Sequence, residues 1–295
     1  MSVASVDASV GGRRKGEGEG VRLFGKRINA GMAIGGCMLL LVVLMAGISL
    51  VWTPYDPLNV VADKLLRPSG QHWLGTDRLG YDVMSVIMAG SRTTLTVGCI
   101  AVVVAALIGV PYGILCGMSA SGMGRWLMRW NDVMQAFPPL LLAIVFTAAL
   151  GQSSVTAAFA LGLGASPAFA RVTRSVTKQI MGREYVLASR AAGRGNLFIA
   201  SRHVLPNIRG TIIVQLSVNF AVAVLAEAGL SYLGLGTPAP QPSWGRLLRD
   251  SSAVIYSNWL LVLIPGIAIA WTVLAFNLLG DGLRDYLDPR LEGQS

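Results

Sequence analysis

Charge is what this sequence has least of: Asp, Glu, Lys and Arg make up 13% of its 295 residues, about half the share of an ordinary soluble domain. That scarcity excludes a disordered chain and an ordinary cytosolic globule. Cysteine is nearly absent as well. Cys37, Cys99 and Cys116 each lie inside an apolar run, and none has a second cysteine at metal-ligand spacing. Neither a disulfide framework nor a zinc site is implied, and the three read as small apolar packing residues. The two histidines, His72 and His203, both fall outside the apolar runs, so they offer no intramembrane metal site. A Gly-x-x-x-x-Gly-Lys-Ser/Thr run is missing too, so no loop is made to cradle nucleotide phosphates.

What is present is apolar. Hydrophobic residues make up 53% of the chain, 35 glycines accompany them, and the mean hydropathy is +0.59. This is the composition of a polytopic membrane protein. The net charge of +9 has two common sources, nucleic-acid binding and membrane topology. The basic residues lie between long apolar runs rather than on a soluble face interleaved with aromatics, which excludes nucleic acid and leaves topology.

A helix needs about 20 apolar residues to cross the hydrocarbon. The run over 32–52 satisfies this without a charge, and it is too long and too far from the start to be a cleaved signal. Further runs at 94–118, 134–150, 155–170, 212–228 and 259–279 give six spans in all, the third and fourth joined by a tight turn at Gly151, Gln152, Ser153 and Ser154. Alternate segments carry 18 Lys and Arg against 6 on the other side. The positive-inside rule then places both termini in the cytoplasm and the loop 53–93 outside. The glycine-rich, charged tail, residues 1–27, reads as disordered and able to touch anionic lipid. Residues 28–93 form the first span and outer loop, 94–290 a core of five spans, and 291–295 a tail.

The segment 171–209 carries eight basic residues and one acid, Glu184. From Glu184 it runs through helix formers to Gly193-Arg194-Gly195-Asn196, where a helix stops or bends. A second helical run, 197–205, follows, and Pro206 ends or kinks it. Ala188, Ser189, Ala191, Ala192 and Gly193 leave room for close backbone approach. The expected object is a pair of short helices able to dock into a groove, with Gly193 where no side chain fits.

Within this segment Leu187-Ala188-Ser189, Gly193 and His203-Val204-Leu205-Pro206 resemble the coupling motif of ABC-importer permeases. The Glu-Tyr-Val-x-Ala and His-Val-Leu-Pro-Asn variants resemble the dipeptide, oligopeptide and nickel class. Leu74-Gly75-Thr76-Asp77-Arg78-Leu79-Gly80-Tyr81-Asp82-Val83 is similar to that class's outer-loop signature, with Tyr81 in place of the usual Arg. The stretches 230–236, 242–245, 276–285 and 287–290 are similar to its C-type subunit. The resemblance covers about residues 28–290.

It implies an all-α membrane protein with six transmembrane helices and a type I importer core, located in the bacterial inner membrane. The chain would be no enzyme and would bind no cofactor, with ATP and Mg held by two separate ATPase subunits. A second, similar permease subunit and an extracytoplasmic binding protein would complete the system, with membrane lipid around it. The coupling residues would be Glu184, Tyr185, Ala188, Arg190, Ala192, Gly193, His203, Leu205 and Pro206. Cargo stays open between di- or oligopeptides, the favoured reading, and nickel or another small solute.

Polar groups inside the membrane are functional candidates because they are costly there. Glu227 is the chief one, read either as a pathway or gate residue or as a cap for the backbone at 229–233. Asp132 reads as a helix-start residue at the interface. Pro111, Pro138, Pro139 and Pro167 interrupt expected spans, and freed carbonyls need other donors; Pro138 and Pro139 are carried forward as gate candidates. A membrane-embedded enzyme would need convergent acid, base, nucleophile or metal groups, and none is found. A secondary transporter would show paired repeats and more intramembrane charge.

Overall fold

A computed structural model describes residues 29–119 and 122–287, together with the backbone of Arg22–Leu23 (β1) and Lys26–Arg27 (β2), which pair antiparallel. The rest of the expected disordered tail and residues 288–295 lie outside the described residues. From Asn29 onward the described chain is helical: α1 (Ala30–Val51), α2 (Val83–Met118), α3 (Gly122–Gln135), α4 (Pro139–Leu150), α5 (Ser154–Met181), α6 (Glu184–Ala191), α7 (Asn196–Ile199), α8 (Leu205–Tyr232), α9 (Trp244–Ser252) and α10 (Leu260–Leu287). Five helical stretches are long and apolar enough to cross a membrane, and the bent pair α3–α4 makes a sixth if counted as one span.

Boundaries differ from the hydropathy reading in consistent ways. The second span begins at Val83 rather than at 94, because Asp82 caps the helix by accepting from the Ser85 amide (2.9 Å) and hydroxyl (2.7 Å). The line drawn at residue 93 therefore falls inside a helix. The third span is not a continuous run over 134–150. Gln135 ends one helix and Pro139 starts another, at 73° to it. Pro138 and Pro139 open a helix, where a missing amide is harmless, instead of kinking one. Asp132 lies late in α3 and pairs with Arg171 at 2.6 Å, so it starts no helix.

Close packing of α2 on α5 forms the centre. Gly109, Gly113 and Gly117 recur every four residues along one face of α2, so that α5 lies almost backbone to backbone against it. A Cβ at Gly113 would fall 2.6 Å from the Ala170 carbonyl, and one at Gly117 2.6 Å from Thr177 Cβ. Small residues at this spacing are the usual means of helix association in lipid, where burial of apolar surface supplies little drive. Pro167 removes an amide from α5 and orphans the Leu163 carbonyl. The Ser166 hydroxyl supplies the missing donor at 2.8 Å, so this proline is accommodated within the packed core.

Helices α1, α8 and α10 complete the bundle, with Phe220 of α8 stacked on Phe276 of α10 at 3.9 Å between ring centres. Asn29 Nδ2 donates to Asp285 at 2.9 Å, which brings the start of the first span beside the end of the last. Gly210 of α8 abuts Leu287, so α6 shares one face of the molecule with the start of α1 and the end of α10.

The opposite face carries residues 53–82 and 233–259. Thr76 donates to the Asp63 carbonyl (2.6 Å), and His72 Nδ1 lies 2.9 Å from Asp82 with Tyr55 stacked on its ring. Asp77 accepts from the amides of Leu79, Gly80 and Tyr81 at 2.8–2.9 Å. Burial nevertheless pushes its carboxyl above its ordinary range, and Asp250 nearby adds to the shift. Trp244 of α9 is wholly buried over Gly90 and donates to the Ile87 carbonyl at 2.9 Å. The loop is therefore an ordered cap on the bundle.

Candidate functional site

The segment 184–206 is built on very few contacts. Of the residues in α6, Val186 alone is buried, and it packs with Ile180, Ile199, Val204 and Ile208. Glu184, Tyr185, Ala188, Arg190 and Ala192 all face outward, as does Leu187. The helix closes at Gly193, whose φ of +75° lies in the left-handed region, with the Gly193 amide on the Arg190 carbonyl at 2.9 Å and Arg194 on Ser189 at 3.1 Å. Glycine takes this backbone without strain and a side chain does not. A Cβ there would meet nothing of this chain within 4 Å. The expected crowding is therefore not internal, and backbone conformation is the constraint.

After the bend, Arg194 lies over Phe198 at 4.8 Å, and the His203 ring meets both Phe198 and Tyr185. Leu197 is left 84% exposed. The second helical run does not end at Pro206. It passes through a π-helical turn at Ala200–Val204 directly into α8, giving one helix over Asn196–Tyr232. The π turn sits immediately before the proline that cannot donate, which is how the ladder continues past it. Leu205 and Pro206 are thus the exposed first residues of α8. The segment joins rigidly to α8, while Gly182 and Arg183 join it to α5.

Glu227 lies at the other end of α8 and is 1% exposed. Its Oε1 accepts from Ser231 (2.8 Å), Ser243 (3.0 Å) and Thr237 (3.4 Å), while Oε2 has no hydrogen-bond partner. It therefore neither reaches water nor caps the 229–233 backbone: it gathers three hydroxyls from α8, the following loop and the start of α9. Pro139 lines a cavity of about 280 Å³ between α2, α4, α5 and α8, whose polar lining is Gln135 and Asn219. Pro138 and Glu227 are not part of that lining. Glu227 therefore does not share this cavity with Pro139.

Several contributors escaped the sequence reading. Gln135 and Asn219 are polar residues within or beside apolar runs, a signal that was present. Thr237 and Ser243 gave none, since only the fold brings them to Glu227. Among the described residues no cluster of three His, Cys, Asp or Glu could hold a metal ion.

Long apolar spans packed through glycine, with a bent α3–α4 pair and a weakly anchored helix between α5 and α8, make a multi-pass membrane protein. The chain belongs to the binding-protein-dependent transport system inner membrane component family, whose model matches residues 109–293. Among curated relatives, it is 42% identical over 268 residues to the dipeptide transport system permease protein DppC of Escherichia coli (strain K12), spanning 88% of this chain and 89% of that protein. It is 39% identical to the di/tripeptide transport system permease protein DppC of Pseudomonas aeruginosa (strain UCBPP-PA14), spanning 88% of each. An inward-facing crystal form of the MetNI methionine ABC transporter has a chain of the same fold, with TM-score 0.58 and 17% identity, covering 70% of this chain and 98% of that one. The likeness to ABC-importer permeases of the dipeptide class is thereby established, and the all-α type I importer fold with it.

Proposed function

We propose that this chain forms half of the translocation pathway of an importer of di- or oligopeptides and transmits the work of separate ATPase subunits through α6. The observation that carries the coupling role is the placement of α6: one buried anchor, an outward face and short connections to α5 through Gly182-Arg183 and to the helix 196–232 through the bend at Gly193. A partner seated on that face moves two spans together as a lever. Peptide cargo draws support from the 39–42% identical relatives, which are dipeptide and di/tripeptide permeases.

In this reading both termini and α6 are cytoplasmic, in line with the distribution of Lys and Arg, and the cap formed by 53–82 faces the binding protein. A second permease subunit covers the open side of the α4–α5–α8 cavity, and ATP with Mg resides on the ATPases. Glu184, Tyr185, Ala188, Arg190, Ala192 and Gly193 meet the ATPase, and His203, Leu205 and Pro206 carry its motion into α8. Reconstituted with those partners, the complex accumulates labelled dipeptide in an ATP- and binding-protein-dependent way. Accumulation of nickel instead would replace the cargo, and transport by this chain without an ATPase would replace the mechanism with a secondary transporter.

A further inference from the structure

Helix α3 has a job that neither span-crossing nor coupling gives it. It is 14 residues long, about 21 Å, and it turns away from α4 by 73°. One face is fixed to the bundle. Gly124 lies against the Cys116 carbonyl and Ser119, Tyr112 donates to the Leu127 carbonyl at 2.6 Å, and Asn131 donates to the Pro167 carbonyl at 3.1 Å. Because Gly117 at the end of α2 abuts Thr177 late in α5, α3 lies at the same end of the molecule as α6.

The outward face is divided lengthwise. Along one edge run the exposed large apolar residues Met123, Trp126 (57%), Trp130 (52%) and Met134, with the two indoles edge to face at 5.8 Å. Along the other run Arg125 and Arg129, one turn apart and both exposed. Like charges at this spacing repel, and among the described residues neither arginine has a carboxylate partner. The nearby acid, Asp132, is already paired with Arg171.

We propose that the first half of α3 enters the membrane through the interface and binds anionic phospholipid headgroups through Arg125 and Arg129, with Trp126 and Trp130 set at the acyl boundary, while its end, held to Pro167 by Asn131, continues into the bundle. Exposed apolar and cationic residues side by side suit the interface, where the charges reach headgroups and the apolar groups reach acyl chains. Indoles favour the headgroup level, and the missing counter-charge is what anionic lipid supplies. A partner protein would have to offer both carboxylates and an apolar groove along one short helix. The proposal depends on the membrane-subunit reading for its setting and not on the cargo, and reversed orientation changes only which leaflet is bound.

The test uses the assembled transporter in nanodiscs with equal leaflets, containing brominated phosphatidylglycerol or brominated phosphatidylcholine. The emission lost on going from wild type to Trp126→Phe/Trp130→Phe isolates the two indoles. We expect bromo-phosphatidylglycerol to quench that component at least about fivefold more effectively than bromo-phosphatidylcholine. Arg125→Gln/Arg129→Gln should abolish the preference, and the double Lys variant should restore it. Quenching by neither lipid, with a photocrosslinker at position 126 joining the second permease subunit, would make α3 a protein interface and overturn the proposal. Equal quenching by both lipids, unaffected by the arginine variants, would overturn it as well. Peptide uptake is measured separately, so loss of the cargo assignment leaves this result standing.

Discussion

Ser243 donates its hydroxyl to Glu227 across 3.0 Å, tying the first turn of α9 to the far end of α8. Ser231 and Thr237 converge on the same oxygen, so one carboxylate sets the position of the whole turn 233–243. These bonds tie the cap to the bundle.

Glu227→Ala strands these hydroxyls and empties a buried site, and it should cost about 2–4 kcal/mol. Glu227→Gln keeps an acceptor in place and should cost about 1 kcal/mol or less. Thermal unfolding of the solubilised complex distinguishes the two. Equal melting of the Ala variant and wild type would remove the tie.

Gly113→Ala puts a methyl group 2.6 Å from the Ala170 carbonyl oxygen, closer than side-chain carbons approach backbone, and so forces α2 and α5 apart, at about 1–3 kcal/mol. Gly113→Leu should prevent the pair from closing. The measurement is the fraction of chain that co-purifies with its partner permease, expected to fall for Ala and to vanish for Leu. Gly36 and Gly47 of α1 face open space, so Ala there should leave assembly unchanged.

Asp77 gives the cap a pH dependence with a definite sign. Its carboxyl titrates above the ordinary value of 3.8 when folded, so the folded cap binds the proton more tightly than the unfolded one. Stability is therefore highest below the ordinary carboxylate range and declines as pH rises towards the folded value, above which the full penalty of a buried charge remains. Asp77→Asn retains an acceptor for the three amides and should slow hydrogen exchange over 62–82 at pH 7 while flattening its dependence on pH. Faster exchange in that variant at neutral pH would contradict the account.

Much of the bundle was legible because lipid leaves a simple signal: α1 and the part of α10 up to Leu279 read directly as charge-free runs. Their neighbours were harder for identifiable reasons. The first turns of α2 carry Ser85, Ser91 and Arg92 and are helical because Asp82 caps them and Trp244 covers Gly90, which no hydropathy window detects. Pro138-Pro139 was visible, yet a pair of prolines suits a kink or a helix start equally, and packing of Asn131 onto the Pro167 carbonyl decides between them. In the coupling segment the bend at Gly193 followed from composition. The continuation through Pro206 did not, since a π turn has no residue signature. Glu227 stood out as an acid in an apolar run, while its partners Thr237 and Ser243 lie 10 and 16 residues onward, across a turn whose path only the fold determines.

The central claim is that α6 couples ATP hydrolysis to peptide movement, and Gly193 is the residue to test. Its left-handed backbone faces open space, so Gly193→Asp should spare insertion and assembly while changing the angle at which α6 meets the chain after it. ATP hydrolysis by the assembled complex is measured with binding protein carrying dipeptide or nickel. The account predicts stimulation of the wild type by the peptide-loaded form, none by the nickel-loaded form, and at least about a tenfold loss of the peptide response in Gly193→Asp with basal hydrolysis retained. Equal stimulation of variant and wild type would contradict it.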